Sequence, residues 1–187
     1  MPRYLVSGIA ELVSDVAAVL QEHNAEVVAV DDIADVPGVC ADAGPDAFDG
    51  YVQLPASFTV QGDTALARVH HFYAEGVLAR FPAVAAALPT LKPEARLTFV
   101  TGVLPGDLST EDDVTARAAL VRILGQAAQA DAANGLRVCT LSSSATAKEI
   151  ALTALGRNTD TRSFTTASEE SYAEWRMELL GVMWAET

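Results

Sequence analysis

Cysteine and histidine are scarce in this chain, and acidic residues outnumber basic ones 25 to 12. The two cysteines, Cys40 and Cys139, lie far apart in apolar contexts. Both are read as reduced, buried, small hydrophobes of a cytoplasmic protein. The three histidines are His23 and the adjacent pair His70–His71. Neighbours on a helix point in different directions, so no metal site is expected. A net charge of −13 leaves no basic surface for a phosphate backbone or an anionic membrane, so neither is an expected partner. Acidity of this kind keeps a protein soluble. No apolar run approaches the roughly 20 residues of a membrane span. Met1 to Val6 leads directly into a strand pattern, so no targeting leader is expected.

What is present is enough for a core. Half of the 187 residues are hydrophobic, and a chain of this size buries roughly 70% of its unfolded surface as one domain, 1–187. Strand and helix patterns alternate throughout, the signature of a mostly parallel sheet with helices on both faces, a doubly wound α/β fold. Arg3 to Ser7 reads as a buried strand ending at Gly8. Ala10 to His23 reads as a helix with Leu12, Val13, Val16, Val19 and Leu20 on one face. Ala25 to Val30 is a second strand, closed by Asp31–Asp32. Ile33 to Phe48, with Pro37, Gly38, Gly44 and Pro45, reads as irregular, with room for at most a short strand around Val39–Ala41.

Tyr51 to Leu54 is the next strand, stopping at Pro55. Asp63 is the expected N-cap of a long helix from Thr64 through Arg80, which Pro82 should kink or restart. Arg96 to Thr101 is a strand, followed by a helix from Ser109–Thr110 to about Ala133 and a strand over Leu136 to Leu141. Thr146 to Glu149 is a capping box opening a helix that ends at Gly156, and Arg162 to Thr165 is a last edge strand. A second capping box, Thr166 to Glu169, starts a C-terminal helix with Tyr172, Trp175, Leu179, Val182 and Met183 on one stripe.

In this order the elements resemble a short-chain dehydrogenase/reductase. Leu5-Val6-Ser7-Gly8 and Val27 to Asp31 resemble the family's opening, Arg96 to Thr101 with Arg117-Ala-Ala-Leu120 its centre, and Gly135 to Cys139 the strand after it. The resemblance runs to about Ser144, and it implies a Rossmann-like sheet built to bind dinucleotide and move hydride.

The residues that would do this are replaced. The family's phosphate turn is Thr/Ser-Gly, three residues, Gly, one residue, Gly, which lets backbone approach a pyrophosphate at a helix N-terminus. Gly8 is kept, but Leu12 and Ser14 stand at the later glycines, with Glu11 and Asp15 beside them. Bulk and charge there both disfavour a dianion. Asp31 stands at about the spacing of the family's ribose-binding acid, although an acid after a buried strand is common in any α/β protein. The helix-strand-helix that the family has between its second and fourth strands is trimmed, and with it the wall against which adenine rests.

The resemblance likewise places the catalytic positions. Asp113 stands at the family's Tyr, Arg117 at its Lys, Gly102 at its Ser and Tyr73, three residues before Gly76, at its Asn. A carboxyl with an ordinary pKa near 4 cannot stand in for a phenol near 10. Asp113 and Arg117, at i and i+4, read as a helix-face ion pair. Gln53-Leu54-Pro55 replaces Asn-Ala-Gly, and Ser143-Ser144 replaces Pro-Gly. Tyr172 with Arg176 repeats the Tyr-then-base spacing far from the strand ends, and is read as core or interface. Ser142-Ser143-Ser144 has no nucleophile elbow and reads as a polar strand end.

The family's dimer interface uses the two long helices. Here Val69, Phe72, Val77, Phe81, Leu120, Ile123 and Leu124 are the expected contact residues of an oligomer. The favoured expectation is a non-catalytic subunit without cofactor, paired with a homologous catalytic subunit or with itself. Two others stand beside it: an atypical NAD(P)-dependent oxidoreductase using Tyr73, Asp107, Asp113 and Arg117, and a small-ligand-binding homodimer.

Overall fold

The computed structural model describes residues 1–56, 59–102, 111–132, 135–157 and 164–165, the side chains of 111–115, 118 and 164–165 excepted. The elements are β1 (Arg3–Ser7), α1 (Ala10–Glu22), β2 (Glu26–Val30), α2 (Val36–Ala43), β3 (Phe48–Gln53), α3 (Ala65–His71), α4 (Arg80–Ala87), β4 (Leu91–Val100), α5 (Glu111–Asp131), β5 (Arg137–Leu141), α6 (Ala147–Ala154) and β6 (Phe164–Thr165). They form an α/β fold around a sheet of order β2-β1-β3-β4-β5-β6. The first five strands are parallel, and β6 pairs with β5 antiparallel.

Successive strand residues face opposite sides, so the parallel sheet builds two cores. Leu5, Tyr51, Leu97, Phe99 and Val138 point toward α2, α4 and α5, where Val36, Cys40, Val84, Val121 and Leu124 meet them. Val6, Val52, Val100 and Leu141 point the other way, under Val13, Val16 and Leu20 of α1 and Ile150 of α6. Gly125 lets α5 lie close on β5, since a Cβ there would come within 2.7 Å of Val138 Cγ1.

Four sequence expectations need correction. The segment after β2 holds no third strand: a 3-10 turn at Ile33–Asp35 leads into α2, with Pro37 in its first turn and Gly44, at φ 76°, ending it. Proline is tolerated there because the first turn's N–H groups have no helical acceptor. Thr64, not Asp63, caps α3, its hydroxyl accepting from Ala67 N–H at 3.1 Å. The long helix is not continuous: residues Phe72–Leu78 are a π-helix, and α4 restarts at Arg80. β4 begins at Leu91, five residues before the expected Arg96, and a register shift against β3 between Phe48 and Gly50 absorbs its start.

The capping box of α6 is formed in both directions, with Glu149 N–H to Thr146 Oγ1 at 3.3 Å and Thr146 N–H to Glu149 Oε2 at 2.8 Å. The expected C-terminal helix with Tyr172, Trp175, Leu179, Val182 and Met183, and its neighbour Arg176, lies outside the described residues. So do Asp107 and the expected helix start at Ser109–Thr110. Among the described residues no helix is long and apolar enough to cross a membrane.

Candidate functional site

In a parallel sheet ligands are expected beyond the carboxyl ends of the strands, and the structure brings the marked positions there in two groups.

The first group surrounds the turn after β1. Gly8 has φ 137°, and a Cβ on it would stand 2.6 Å from Leu54 Cβ and 2.7 Å from the Pro55 carbonyl oxygen. Gly8 N–H donates to Val30 O at 3.1 Å and Ile9 N–H to Pro55 O at 2.9 Å. The glycine is therefore required by the chain's own packing. α1 opens at Ala10, so Leu12 and Ser14 are helical residues and not part of a loop. Leu12 packs partly into the core under α1, and Ser14 Oγ bonds back to Ala10 O at 2.9 Å. Asp31, with Asp32 and Asp35, lines an open cavity of about 480 Å³ beside Ala29, Val30 and Val39. Asp32 also accepts from Ala34 N–H at 2.9 Å, holding the 3-10 turn.

The second group converges on one aromatic ring. Arg117 Cζ lies 5.7 Å from the centroid of Phe72, and the Tyr73 ring meets Phe72 edge-on at 5.6 Å. A Cβ at Gly102 would stand 3.7 Å from Phe72 Cζ. The fold thus assembles three of the four positions, Tyr73, Gly102 and Arg117, around Phe72, which is only 4% exposed. The Asp113 side chain lies outside the described residues. Arg117 is itself buried, 4% exposed, and the expected Asp113–Arg117 ion pair involves a side chain outside the described residues.

A buried polar network escaped sequence reasoning. Arg80, 1% exposed, donates from Nε to Gln53 Oε1 and from Nη2 to Gln53 O, both at 2.9 Å, and lies over the Phe99 ring. Gln53 Nε2 donates to Tyr51 Oη at 3.1 Å and to Arg80 O at 3.2 Å, and Tyr51 Oη shares a 2.8 Å bond with Ser7 Oγ. Burial pushes the Tyr51 phenol up to about 12, against the opposing pull of its bonds to Ser7 and Gln53. Burial also lowers Arg80 to about 10. Among the described residues no carboxylate forms an ion pair with Arg80. The signal in the sequence was Gln53, a polar residue between the apolar Val52 and Leu54 at the end of a buried strand.

Of the seven expected interface residues, Phe72, Val77 and Leu124 are buried within the chain, at 4%, 3% and 3% exposure, and belong to its own core. Val69, Phe81 and Leu120 are half-buried, and Ile123 is 44% exposed. Leu66 and Leu78, which the sequence pattern did not single out, are the more exposed apolar side chains of this region, at 80% and 52%.

Cys40 and Cys139 are free thiols, each pushed up by burial. His71 Nδ1 accepts from Gln61 N–H, and Ser143 N–H is held by Thr101 Oγ1 at 3.0 Å. Among the described residues no three His, Cys, Asp or Glu side chains gather as metal ligands do.

Comparison with solved structures settles the architecture. The protein lin1944 of Listeria innocua superposes with a TM-score of 0.63 at 15% identity, over 87% of this chain and 96% of that one. A Burkholderia multivorans protein assigned as a short-chain alcohol dehydrogenase gives 0.60 at 12%, over 83% and 89%. The chain has the fold of a short-chain dehydrogenase. A further small-chain dehydrogenase gives 0.58 at 18%, again over 83% and 89%. No family model matches the chain, and no curated protein matches it in sequence.

Proposed function

We propose that this chain is a non-catalytic, cytoplasmic subunit with the short-chain dehydrogenase fold, which carries no nicotinamide cofactor and pairs with a homologous catalytic subunit. The observation that carries the reading is Phe72. In the resembled family Ser, Tyr and Lys converge on the substrate carbonyl. Here the positions corresponding to its Ser and Lys, Gly102 and Arg117, lie against an aromatic ring of the chain itself, with Arg117 over it. Neither of these two positions keeps the family's side chain: Gly102 has none, and Arg117 carries a guanidinium in place of the Lys amine.

The turn after β1 supports the same conclusion. A pyrophosphate is held by free N–H groups of a glycine loop at a helix N-terminus. Ile9 N–H is already given to Pro55 O, and Glu11 places negative charge in the first turn of α1.

For pairing, Leu66, Leu78 and Ile123 are exposed on α3, the π segment and α5, close to the half-buried Val69, Phe81 and Leu120. Large apolar side chains left in water on neighbouring helices favour helix–helix association.

The test is native mass spectrometry of the chain co-expressed with its genomic neighbours, with and without NADPH. A hetero-oligomer with nucleotide in the partner alone is the expected result. Reductase turnover by the isolated chain supports instead an atypical oxidoreductase using Tyr73, Asp107, Asp113 and Arg117. A homodimer that binds a small ligand without turnover supports the third expectation.

A further inference from the structure

β2 is the outermost strand at one side of the sheet. Glu26 N–H donates to Pro2 O at 2.8 Å and Val30 O accepts from Gly8 N–H, so Glu26, Val28 and Val30 turn their main-chain groups inward to β1. By the alternation of a ladder, Val27 and Ala29 turn theirs outward. Among the described residues nothing pairs with them. Glu26 and Ala29 are exposed, and Val27 and Val28 are half-buried. Natural sheets usually blunt such an edge with inward charges, proline or a covering element. Here Val27, Val28 and Ala29 leave it apolar. α2, which takes the place of a third strand, packs on α4 and leaves the open cavity of Ala29, Val30 and Val39 beside the edge.

We propose that the outer edge of β2 docks an extended basic peptide segment of a partner protein as an added strand. This inference is independent of the reading given above for the strand ends. The backbone of the peptide would pair with the outward N–H and C=O groups of Val27 and Ala29, the mode by which sheet edges take up strands. Its side chains alternate, so those on one face point over the cavity. Asp31, Asp32 and Asp35 line that cavity, and they favour lysine or arginine there. A second copy of this chain is the poorer occupant, because it brings another −13 of like charge to the same junction.

The test uses the whole chain and two fluorescein-labelled hexapeptides, one alternating valine with lysine and one alternating valine with glutamate, followed by fluorescence anisotropy. The lysine peptide binds at least about tenfold more tightly, and its affinity falls as salt rises. It also slows hydrogen exchange of the Val27 and Ala29 amides. Ala29→Pro removes an outward N–H and no bond to β1. It lowers affinity at least about tenfold, roughly the loss expected from one main-chain hydrogen bond. Should that variant not fold, a lysine peptide N-methylated at alternate residues makes the same comparison from the other side. Equal binding of the two peptides, unchanged exchange at Val27 and Ala29, or indifference to N-methylation overturns the proposal. So does a homodimer that Ala29→Pro abolishes and the lysine peptide does not displace.

Discussion

Arg80 and Gln53, 27 residues apart, hold each other by three hydrogen bonds: Nε and Nη2 of Arg80 donate to the side-chain and main-chain oxygens of Gln53, and Gln53 Nε2 returns a bond to Arg80 O. This clasp ties the start of α4 to the end of β3, and through Tyr51 to Ser7 at the end of β1. A buried guanidinium satisfied only by neutral groups is costly to desolvate, so the clasp is a coupled unit.

A double-mutant cycle exposes that coupling. Arg80→Met leaves Oε1 and the carbonyl of Gln53 without their donors, and the expected loss is about 2 kcal/mol. Adding Gln53→Met removes the orphaned amide, so the double variant is less destabilised than the sum by about 1 kcal/mol. Urea unfolding measures this. Strict additivity would mean that the two side chains act separately.

Tyr51 gives the fold an alkaline signature. Its folded pKa of about 12 lies above the ordinary value near 10. From pH 10 upward the unfolded chain loses this proton and the folded chain keeps it, so stability falls through that window. Arg80, lowered to about 10, works in the opposite sense, because the unfolded chain holds its proton longer. Comparison with Tyr51→Phe isolates the tyrosine. The melting temperature of wild type, relative to the variant, should drop between pH 9 and 11, and a constant difference would contradict the assignment.

Phe72 lies among Tyr73, Gly102 and Arg117. Phe72→Ala should destabilise by about 3 kcal/mol through the cavity left behind and should not create reductase activity. Thermal unfolding and an NADPH-oxidation assay report the two outcomes.

Putting glycine back at Leu12 and Ser14 separates sequence from geometry. Both positions are inside α1, so Leu12→Gly with Ser14→Gly should cost about 1 kcal/mol per site in helix stability alone. Loss of the Leu12 packing adds to this. No nucleotide binding should appear, because Pro55 O still occupies Ile9 N–H. Micromolar NADPH binding by the variant would show that side-chain bulk alone had closed the turn.

The strands that form the sheet were legible because runs such as Tyr4-Leu5-Val6 and Leu97 to Val100 are buried on both faces and carry no helical period. The capping box at Thr146 was legible because its chemistry is local. α2 was hidden by Pro37, Gly38 and Gly44, residues that mark loops in general and here mark the first turn, an open face and the exit of a short helix. The π segment was hidden because a 3.6-residue period cannot report it. Phe72 and Val77, five apart, share one cluster, which suits its wider turn. Arg80 read only as the end of a long helix, and its partner Gln53 is distant in sequence. At the site, the family resemblance implied that Tyr73, Gly102 and Arg117 would meet but gave no hint that they would surround Phe72.

The central claim is that the strand ends hold no nicotinamide nucleotide. Isothermal titration of the isolated, purified chain with NADPH tests it most directly. The account predicts no saturable heat up to millimolar nucleotide, whereas a one-to-one isotherm in the micromolar range would contradict it.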